Sequence, residues 1–139
     1  MADTVRDLIK GDPVTVDASA TAEEAAKLMD QNDIGNVLVV ENDEVQGIVT
    51  DRDIVVRVVA KGNGADASVR EAATTDLETI APDTSIDDAI QKMEQGNVRR
   101  LPVVEDDGKP VGVISLGDLA QARDKDSALA DISSASPNN

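Results

Sequence analysis

The feature that most limits what this chain can fold into is a long internal duplication. Residues 15–41, TVDASATAEEAAKLMDQNDIGNVLVVE, align without a gap on residues 79–105, TIAPDTSIDDAIQKMEQGNVRRLPVVE, at a constant offset of 64. One additional residue inside EDDGKP moves the offset to 65, so that GIVTDRD, residues 47–53, answers GVISLGD, residues 112–118. Thr15 therefore corresponds to Thr79, Met29 to Met93, Glu41 to Glu105, Gly47 to Gly112 and Asp53 to Asp118. A duplication on this scale asks for one supersecondary unit built twice.

Within each copy the apolar period changes in the same order. Ala22, Ala25, Ala26 and Met29 recur at helical spacing, as do Ile86, Ala89, Ile90 and Met93, so each set predicts the inner stripe of an amphipathic helix. Thr21 with Glu24 and Ser85 with Asp88 fit the capping pattern of a helix start. The polar, glycine-containing QNDIGN and EQGN mark the stops. NVLVVE with VQGIVT, and RLPVVE with PVGVIS, are β-branched runs separated by turn residues and predict a hairpin in each copy. A second helix follows, IVVRVVAKG in the first copy and a shorter LAQARD in the second; PVTV and LETI predict a brief strand before each first helix. The expected unit is thus β-α-β-β-α, preceded by short helices at VRDLI and VREAA. The expected boundaries are 1–67 for the first repeat with its leading segment and linker, 68–125 for the second repeat, and 126–139 for a mobile tail. GNGADA, residues 62–67, has the composition of a flexible linker.

Composition removes several kinds of chemistry. The 139 residues contain neither cysteine nor histidine, which excludes disulfides and thiolate chemistry and removes the usual general base and transition-metal ligand. With no Phe, Tyr or Trp, the core must be filled by Val, Ile, Leu, Ala and Met, in many small contacts. A chain of this length can bury roughly two thirds of its unfolded surface, whereas one half alone would be marginal. The formal charge of −15 argues against duplex DNA and anionic membranes, which need basic faces, and single-stranded bases would find no aromatic platform. No apolar run is long enough to span a bilayer. MADTVRDLIK lacks the pattern of a secretory signal, so the cytoplasm is the expected compartment. A small anionic ligand is not excluded, because salt screens charges beyond about 8 Å and only the cations around a pocket count.

Thr50-Asp51-Arg52-Asp53 and Ser115-Leu116-Gly117-Asp118 each close a strand and open a helix. Helix capping explains the hydroxyl and the aspartate, and such a cap is worth about 1 kcal/mol. The same carboxylate can also accept hydrogen bonds from two adjacent ribose hydroxyls, while the hydroxyl residue and the helix start address a phosphate. Both roles can coexist.

The doubled T/S-x-x-D phrase after GIV and GVI, together with LPVV before the second hairpin, resembles a tandem pair of CBS domains, the arrangement called a Bateman module. The resemblance covers about residues 4–124. It implies an α/β (α+β) fold of two CBS repeats related by a pseudo-twofold axis, with their sheets packed together and two clefts between them. It also implies that adenosine-containing ligands such as AMP, ADP, ATP or S-adenosylmethionine bind there and regulate an enzyme or transporter. No fused catalytic or transport domain is expected, so the regulated partner is expected to be a separate chain. A homodimer is likewise expected.

Carried onto this sequence, the resemblance makes Thr50, Asp53, Ser115 and Asp118 nucleotide-binding candidates. Arg99 and Arg100 take the place of phosphate-facing basic residues, and Arg52 lies inside the first phrase; the alternative for all three arginines is pairing with surface carboxylates. Val16, Val37, Ile80 and Leu101 are the aliphatic candidates for flanking an adenine, and core packing is their alternative. Pro102 belongs to the motif, although a proline at a strand start can also serve as an edge device. The first copy has Gly35-Asn36-Val37-Leu38 at the matching place, without the charge or the proline, so unequal sites are expected. Family pockets draw on both repeats, which leaves open whether Arg99 and Arg100 serve the ligand of Asp53 or of Asp118. No metal site or catalytic cofactor is expected, and Mg²⁺ accompanying a polyphosphate is left open. Two further readings compete with the sensor: a ligand-free structural, dimerisation or interaction module, and an enzyme using paired carboxylates, for which nothing beyond abundant acid speaks.

Overall fold

The structure is a computed structural model and describes residues 4–127, with side chains through residue 124. The tail expected over 126–139 lies outside the described residues, except that 126 and 127 close the last helix. The chain forms two compact units. The first-repeat unit comprises Pro13–Leu77 with Asp107–Pro110; the second-repeat unit comprises the described residues up to Asp12, Glu78–Asp106 and those from Val111 onward.

In the first-repeat unit, β1 (Thr15–Asp17), α1 (Ala22–Asn32), β2 (Asn36–Glu41) and β3 (Glu44–Thr50) follow the expected order. The sheet runs β1-β2-β3, with β1 parallel and β3 antiparallel to β2. Asn42 and Asp43 turn the hairpin with φ of 54° and 66°, the conformation that a right-twisted two-residue hairpin loop requires. Val37, Val39 and Val49 pack against Ala22, Ala25 and Met29 of α1. Ala26, expected in this stripe, is exposed, and Leu28 is packed against the core in its place. Both lie at the edges of the stripe, where a leucine can reach back to the sheet and a methyl group cannot. Thr21 and Glu24 form a reciprocal cap, Glu24 N–H to Thr21 Oγ1 at 3.2 Å and Thr21 N–H to Glu24 Oε1 at 2.9 Å. At the far ends of the two first helices Asp33 and Asn97, rather than the nearby glycines, take the left-handed conformation, each at φ 54°, which short Asx side chains tolerate.

The second-repeat unit repeats the plan with α4 (Ile86–Gly96), β4 (Arg100–Val104), β5 (Pro110–Ser115) and α5 (Leu116–Ser127). Ile86, Ala89, Ile90 and Met93 are all buried, as their spacing predicts, with Leu101, Val103 and Ile114. Two features differ from what the sequence predicts. The second helix of this copy is the longer of the two, because α5 extends from Leu116 to Ser127, whereas in the first copy α2 (Asp51–Asp53) passes into a π-helical turn at Ile54–Val59. The LETI segment is reduced to a single parallel bridge of Ile80 with Val103. In the first copy Leu38 N–H donates to the Val14 carbonyl at 3.1 Å and Ala18 N–H to the Val40 carbonyl at 2.8 Å. The corresponding residues, Pro102 and Pro82, have no N–H to donate, so the ladder stops on both sides of Ile80.

The leading segments are exchanged. Residues placed with the first repeat by a boundary at 67 dock on the second-repeat unit: the 3-10 turn Val5–Leu8 is held by Val5 N–H to Thr84 O at 2.9 Å and Arg6 N–H to Pro82 O at 3.0 Å. Conversely α3 (Val69–Ala72) docks in the first-repeat unit, through Val69 N–H to Ala20 O at 2.9 Å and Thr74 N–H to Ile48 O at 2.9 Å. The exchange is symmetrical in detail. Thr4 bridges Ser85 as Ser68 bridges Thr21, and Arg6 pairs with Glu105 at 3.5 Å as Arg70 pairs with Glu41 at 3.3 Å. Val5 and Val69 are both fully buried. GNGADA, expected to be a flexible linker, is engaged as well: the Ala67 and Ala65 carbonyls accept from Ala22 N–H at 2.7 Å and Glu23 N–H at 3.1 Å, satisfying donors that a helix start otherwise leaves open.

This exchange accounts for the glycine that opens each copy of the repeated phrase. A Cβ on Gly47 would stand 2.8 Å from the Thr74 carbonyl oxygen, and one on Gly112 would stand 3.0 Å from Ile9 Cγ2. The first obstacle is backbone fixed in a bridge; the second is a side chain that can turn. Gly47→Ala is therefore expected to lower unfolding stability by about 1–3 kcal/mol and Gly112→Ala by less, measured by urea unfolding followed by far-ultraviolet circular dichroism.

Where β1 ends, Asp17 accepts hydrogen bonds from the Ser19 hydroxyl and, at 2.9 Å, from the Ser19 N–H. These bonds, aided by the nearby Arg70 guanidinium, hold its carboxyl below the ordinary 3.8. Because the folded state binds this proton less readily than the unfolded chain, the contribution is complete above the ordinary value and disappears as pH falls through the lowered one. Asp17→Asn should accordingly reduce stability at neutral pH and lose less than the parent chain as pH falls below the ordinary 3.8, as read from urea midpoints at each pH.

Candidate functional site

Each unit places its copy of the phrase where a strand becomes a helix. Thr50, at the end of β3, is extended with φ −111° and ψ 166°, which turns its hydroxyl toward the open N–H groups of α2. Asp53 N–H donates to Thr50 Oγ1 at 3.0 Å, and Thr50 N–H donates to Asp53 Oδ2 at 2.9 Å. In the second-repeat unit Asp118 N–H donates to Ser115 Oγ at 3.1 Å, and Ser115 N–H donates to Asp118 Oδ2 at 3.2 Å. The capping role is therefore met in both copies. It engages one oxygen of each carboxylate, whereas an ionised carboxylate offers about four acceptor positions. Acceptor capacity for a pair of vicinal hydroxyls remains.

The second oxygens differ. Asp53, whose side chain is 19% exposed, has Oδ1 4.0 Å from Arg57 Nε. Asp118 is exposed, and the residue corresponding to Arg57 is Ala122, 7% exposed in the core. Arg57 is a functional candidate that the sequence motifs do not single out, because it lies within an apolar helical run. The available signal is its position four residues after Asp53, the spacing of a helical ion pair.

The arginine candidates also separate the copies. The Arg99 carbonyl accepts Leu116 N–H at 2.8 Å, which sets the Arg99 backbone beside the start of α5; Arg100 opens β4, the strand paired with β5. In the first-repeat unit the Gly35 carbonyl accepts Asp51 N–H at 3.0 Å, and a Cβ at Gly35 would lie 3.3 Å from Asp51 Oδ2. An acidic group thus occupies the space into which a side chain at position 35 would grow. Arg52, Arg99 and Arg100 are exposed and, among the described residues, form no ion pair. The surface-pairing alternative is not what the structure shows for them, although carboxylates are plentiful and Arg6, Lys27, Arg57, Arg70, Lys92, Lys109 and Arg123 are all paired.

Of the aliphatic candidates, Val16 and Val37 belong to the first apolar cluster, 6% and 1% exposed, and Ile80 and Leu101 to the second, also 6% and 1%. These side chains are committed to packing. Pro102 is buried, and its carbonyl accepts Ile80 N–H at 3.0 Å. Among the described residues no group of three or more acidic side chains is arranged to hold a metal ion, and no helix is long and apolar enough to cross a membrane.

A twice-built β-α-β-β-α unit with a capped T/S-x-x-D junction in each half defines a tandem-repeat module. The CBS domain family model matches residues 5–60 and 69–125, and the chain belongs to the CBS domain family. The CBS domain-containing protein YhcV of Bacillus subtilis (strain 168) is 41% identical over 117 residues, covering 84% of this chain and 83% of that protein. The CBS domain protein PAE2072 from Pyrobaculum aerophilum, solved in complex with AMP, matches with a TM-score of 0.74 and 28% identity over 83% of this chain and 88% of its own. The CBS domain pair of protein MJ0100, solved with 5′-methylthioadenosine and S-adenosyl-L-methionine, matches with a TM-score of 0.78 and 25% identity over 89% of this chain and 98% of its own.

Proposed function

We propose that this chain is a ligand-sensing regulatory module that binds an adenosine-containing nucleotide or related ligand at its strand–helix junctions and modulates a separate partner protein. The observation that carries the reading is the unpaired state, among the described residues, of Arg99 and Arg100 in a chain with 28 acidic and 13 basic residues, with Arg99 set beside the helix that carries Asp118. Cations surrounded by so much carboxylate and left without a partner are available to an anionic ligand. Asp118 and Asp53 supply acceptors for ribose hydroxyls, while Ser115 and Thr50 fix the helix starts. Val16, Val37, Ile80 and Leu101 hold the strands that present these groups, and Pro102 fixes the strand following Arg100. The solved relatives with AMP, 5′-methylthioadenosine and S-adenosyl-L-methionine support this ligand class. We assign the chain no catalytic role, place it in the cytoplasm, and treat Mg²⁺ as an accompaniment of a polyphosphate ligand.

A micromolar site needs about 8 kcal/mol, and a charge-assisted contact supplies about 1.5–3 kcal/mol. Calorimetry with AMP, ADP, ATP with and without Mg²⁺, and S-adenosylmethionine should detect binding below millimolar concentration. Asp118→Ala should weaken every ligand about ten-fold or more. Arg99→Ala and Arg100→Ala should weaken AMP while leaving adenosine nearly unchanged. Absence of binding by all of these ligands overturns the reading.

A second reading, an interaction module, is favoured by a specific surface: Val55, Val56 and Val59 are 57%, 42% and 62% exposed on the π-helical turn. Three exposed valines on one turn suit a protein contact, and a homodimer is the proposed use. Val55→Asp with Val59→Asp should shift the sedimentation coefficient from dimer to monomer with the circular dichroism spectrum retained; an unchanged coefficient removes this surface from the dimer.

A further inference from the structure

Arg57 touches two things that the first repeat must keep in register. Its Nε stands 4.0 Å from Asp53 Oδ1, and its Nη1 donates to the Ala72 and Ala73 carbonyls at 3.3 and 3.2 Å. Those carbonyls close α3, the exchanged leading segment. One residue further on, Thr74 N–H bonds to the Ile48 carbonyl at 2.9 Å, and the Thr74 carbonyl crowds Gly47. From Leu77 the chain passes into the second-repeat unit. A single guanidinium therefore links the candidate ligand-binding carboxylate to the segment through which the two repeats are joined covalently.

The local backbone is unusual at the same place. Ala60 N–H bonds to the Val55 carbonyl at 2.8 Å and Asn63 N–H to the Val58 carbonyl at 3.0 Å, both five residues apart, in a π-helical run over Ile54–Val59. Such wide turns are rare and concentrate at functional sites. The corresponding helix of the second copy, α5, is α-helical and carries Ala122 in place of Arg57. The wide turn and the arginine occur together in one repeat.

We propose that Arg57 is a positioning residue that couples ligand capture at Asp53 to the order of segment 68–74, making the first repeat the transmitting half of the module. This rests on the reading of Asp53 as a ligand-binding group. The 4.0 Å separation is too long for a hydrogen bond, so Oδ1 keeps its lone pairs for a ligand hydroxyl while the positive charge orients the carboxylate. A hydroxyl donating to Oδ1 fixes Asp53, Asp53 fixes the guanidinium, and the guanidinium holds both carbonyls at the end of α3. By reciprocity, loosening the α3 end weakens the ligand by the same factor.

The test combines calorimetry with amide hydrogen exchange on the full chain, using AMP and S-adenosylmethionine as probes. In the parent chain, AMP should slow exchange at the Ala73 and Thr74 amides. Arg57→Gln should weaken AMP about five-fold and abolish the AMP-dependent slowing at Thr74. Arg57→Lys should not restore it, because an ammonium lacks the planar fork that reaches a carboxylate and two carbonyls together. A merely structural arginine would give faster exchange in Arg57→Gln with the AMP-dependent ratio unchanged, and that result overturns the coupling. So does AMP binding to the parent chain with no change at Thr74. If calorimetry finds that neither probe binds, the ligand reading of Asp53 falls, and the coupling with it.

Discussion

Each half of this chain completes its core with a segment that sequence order assigns to the other half, and the rest of the architecture follows from that closure. A core built without aromatic rings depends on every aliphatic contact. Val5 and Val69, at the centres of the exchanged segments, are fully buried. Thr74 lies close enough to bridge Ile48, which leaves no space for a side chain at Gly47, and Ile9 packs tightly over Gly112. The paired arginines, Arg6 on Glu105 and Arg70 on Glu41, are exposed and screened and add little energy. They show instead that one docking geometry was built twice. The second-repeat unit, then, does not draw all of its buried apolar surface from one continuous stretch of chain.

The duplication makes most of this architecture legible in the amino-acid sequence alone. Local pattern determines α1, α4 and both hairpins, because Ile86, Ala89, Ile90 and Met93 state a helix face directly and Asn42-Asp43 state a turn. What local pattern cannot state is which unit receives a segment. VRDLI and VREAA read as short helices beside their own repeats, and only tertiary contacts reveal the exchange. The weakening of the strand at LETI is readable in principle: Pro82 and Pro102 are visible in the sequence, but their effect emerges only when they are set against the donors Ala18 and Leu38 in the first copy. The sequence understates the length of α5 because LAQARD is polar on most sides, and helix formation there draws on the Ser115–Asp118 cap as well as on an apolar stripe.

At the candidate site the sequence points to the capped aspartates and the arginines, and the structure supplies the distinction among them. Whether an arginine in an acidic chain is free or paired is not a property of sequence spacing: Arg6 and Arg70 find glutamates a long way off in the chain, while Arg99 and Arg100 find none among the described residues. Net charge is therefore a poor guide to ligand sign. A field from distant carboxylates is screened within about 8 Å, so what counts is the charge close to the ligand rather than the total.

The two repeats are alike in frame and unlike in wiring, and this inequality has a physical direction. In the second copy Arg99 and Arg100, which have no ion-pair partner among the described residues, stand at the start of β4, and its partner strand β5 leads into an exposed aspartate whose neighbour at the next helical turn is alanine, an arrangement suited to capture. In the first copy Gly35 leaves no basic side chain at the matching place, Asp51 fills the space, and Asp53 is more enclosed and faces Arg57. That arginine is in turn bonded to the carbonyls of α3. A ligand phosphate has less to gain here, and a displacement of the carboxylate has more to move. The two frames differ at Gly35 against Arg99, Asn36 against Arg100 and Arg57 against Ala122, which leaves exposed arginines in one copy and a polar link to α3 in the other. A module with two identical sites would respond to occupancy in the same way at each. A module wired this unequally has grounds to answer occupancy at Asp53 and occupancy at Asp118 differently.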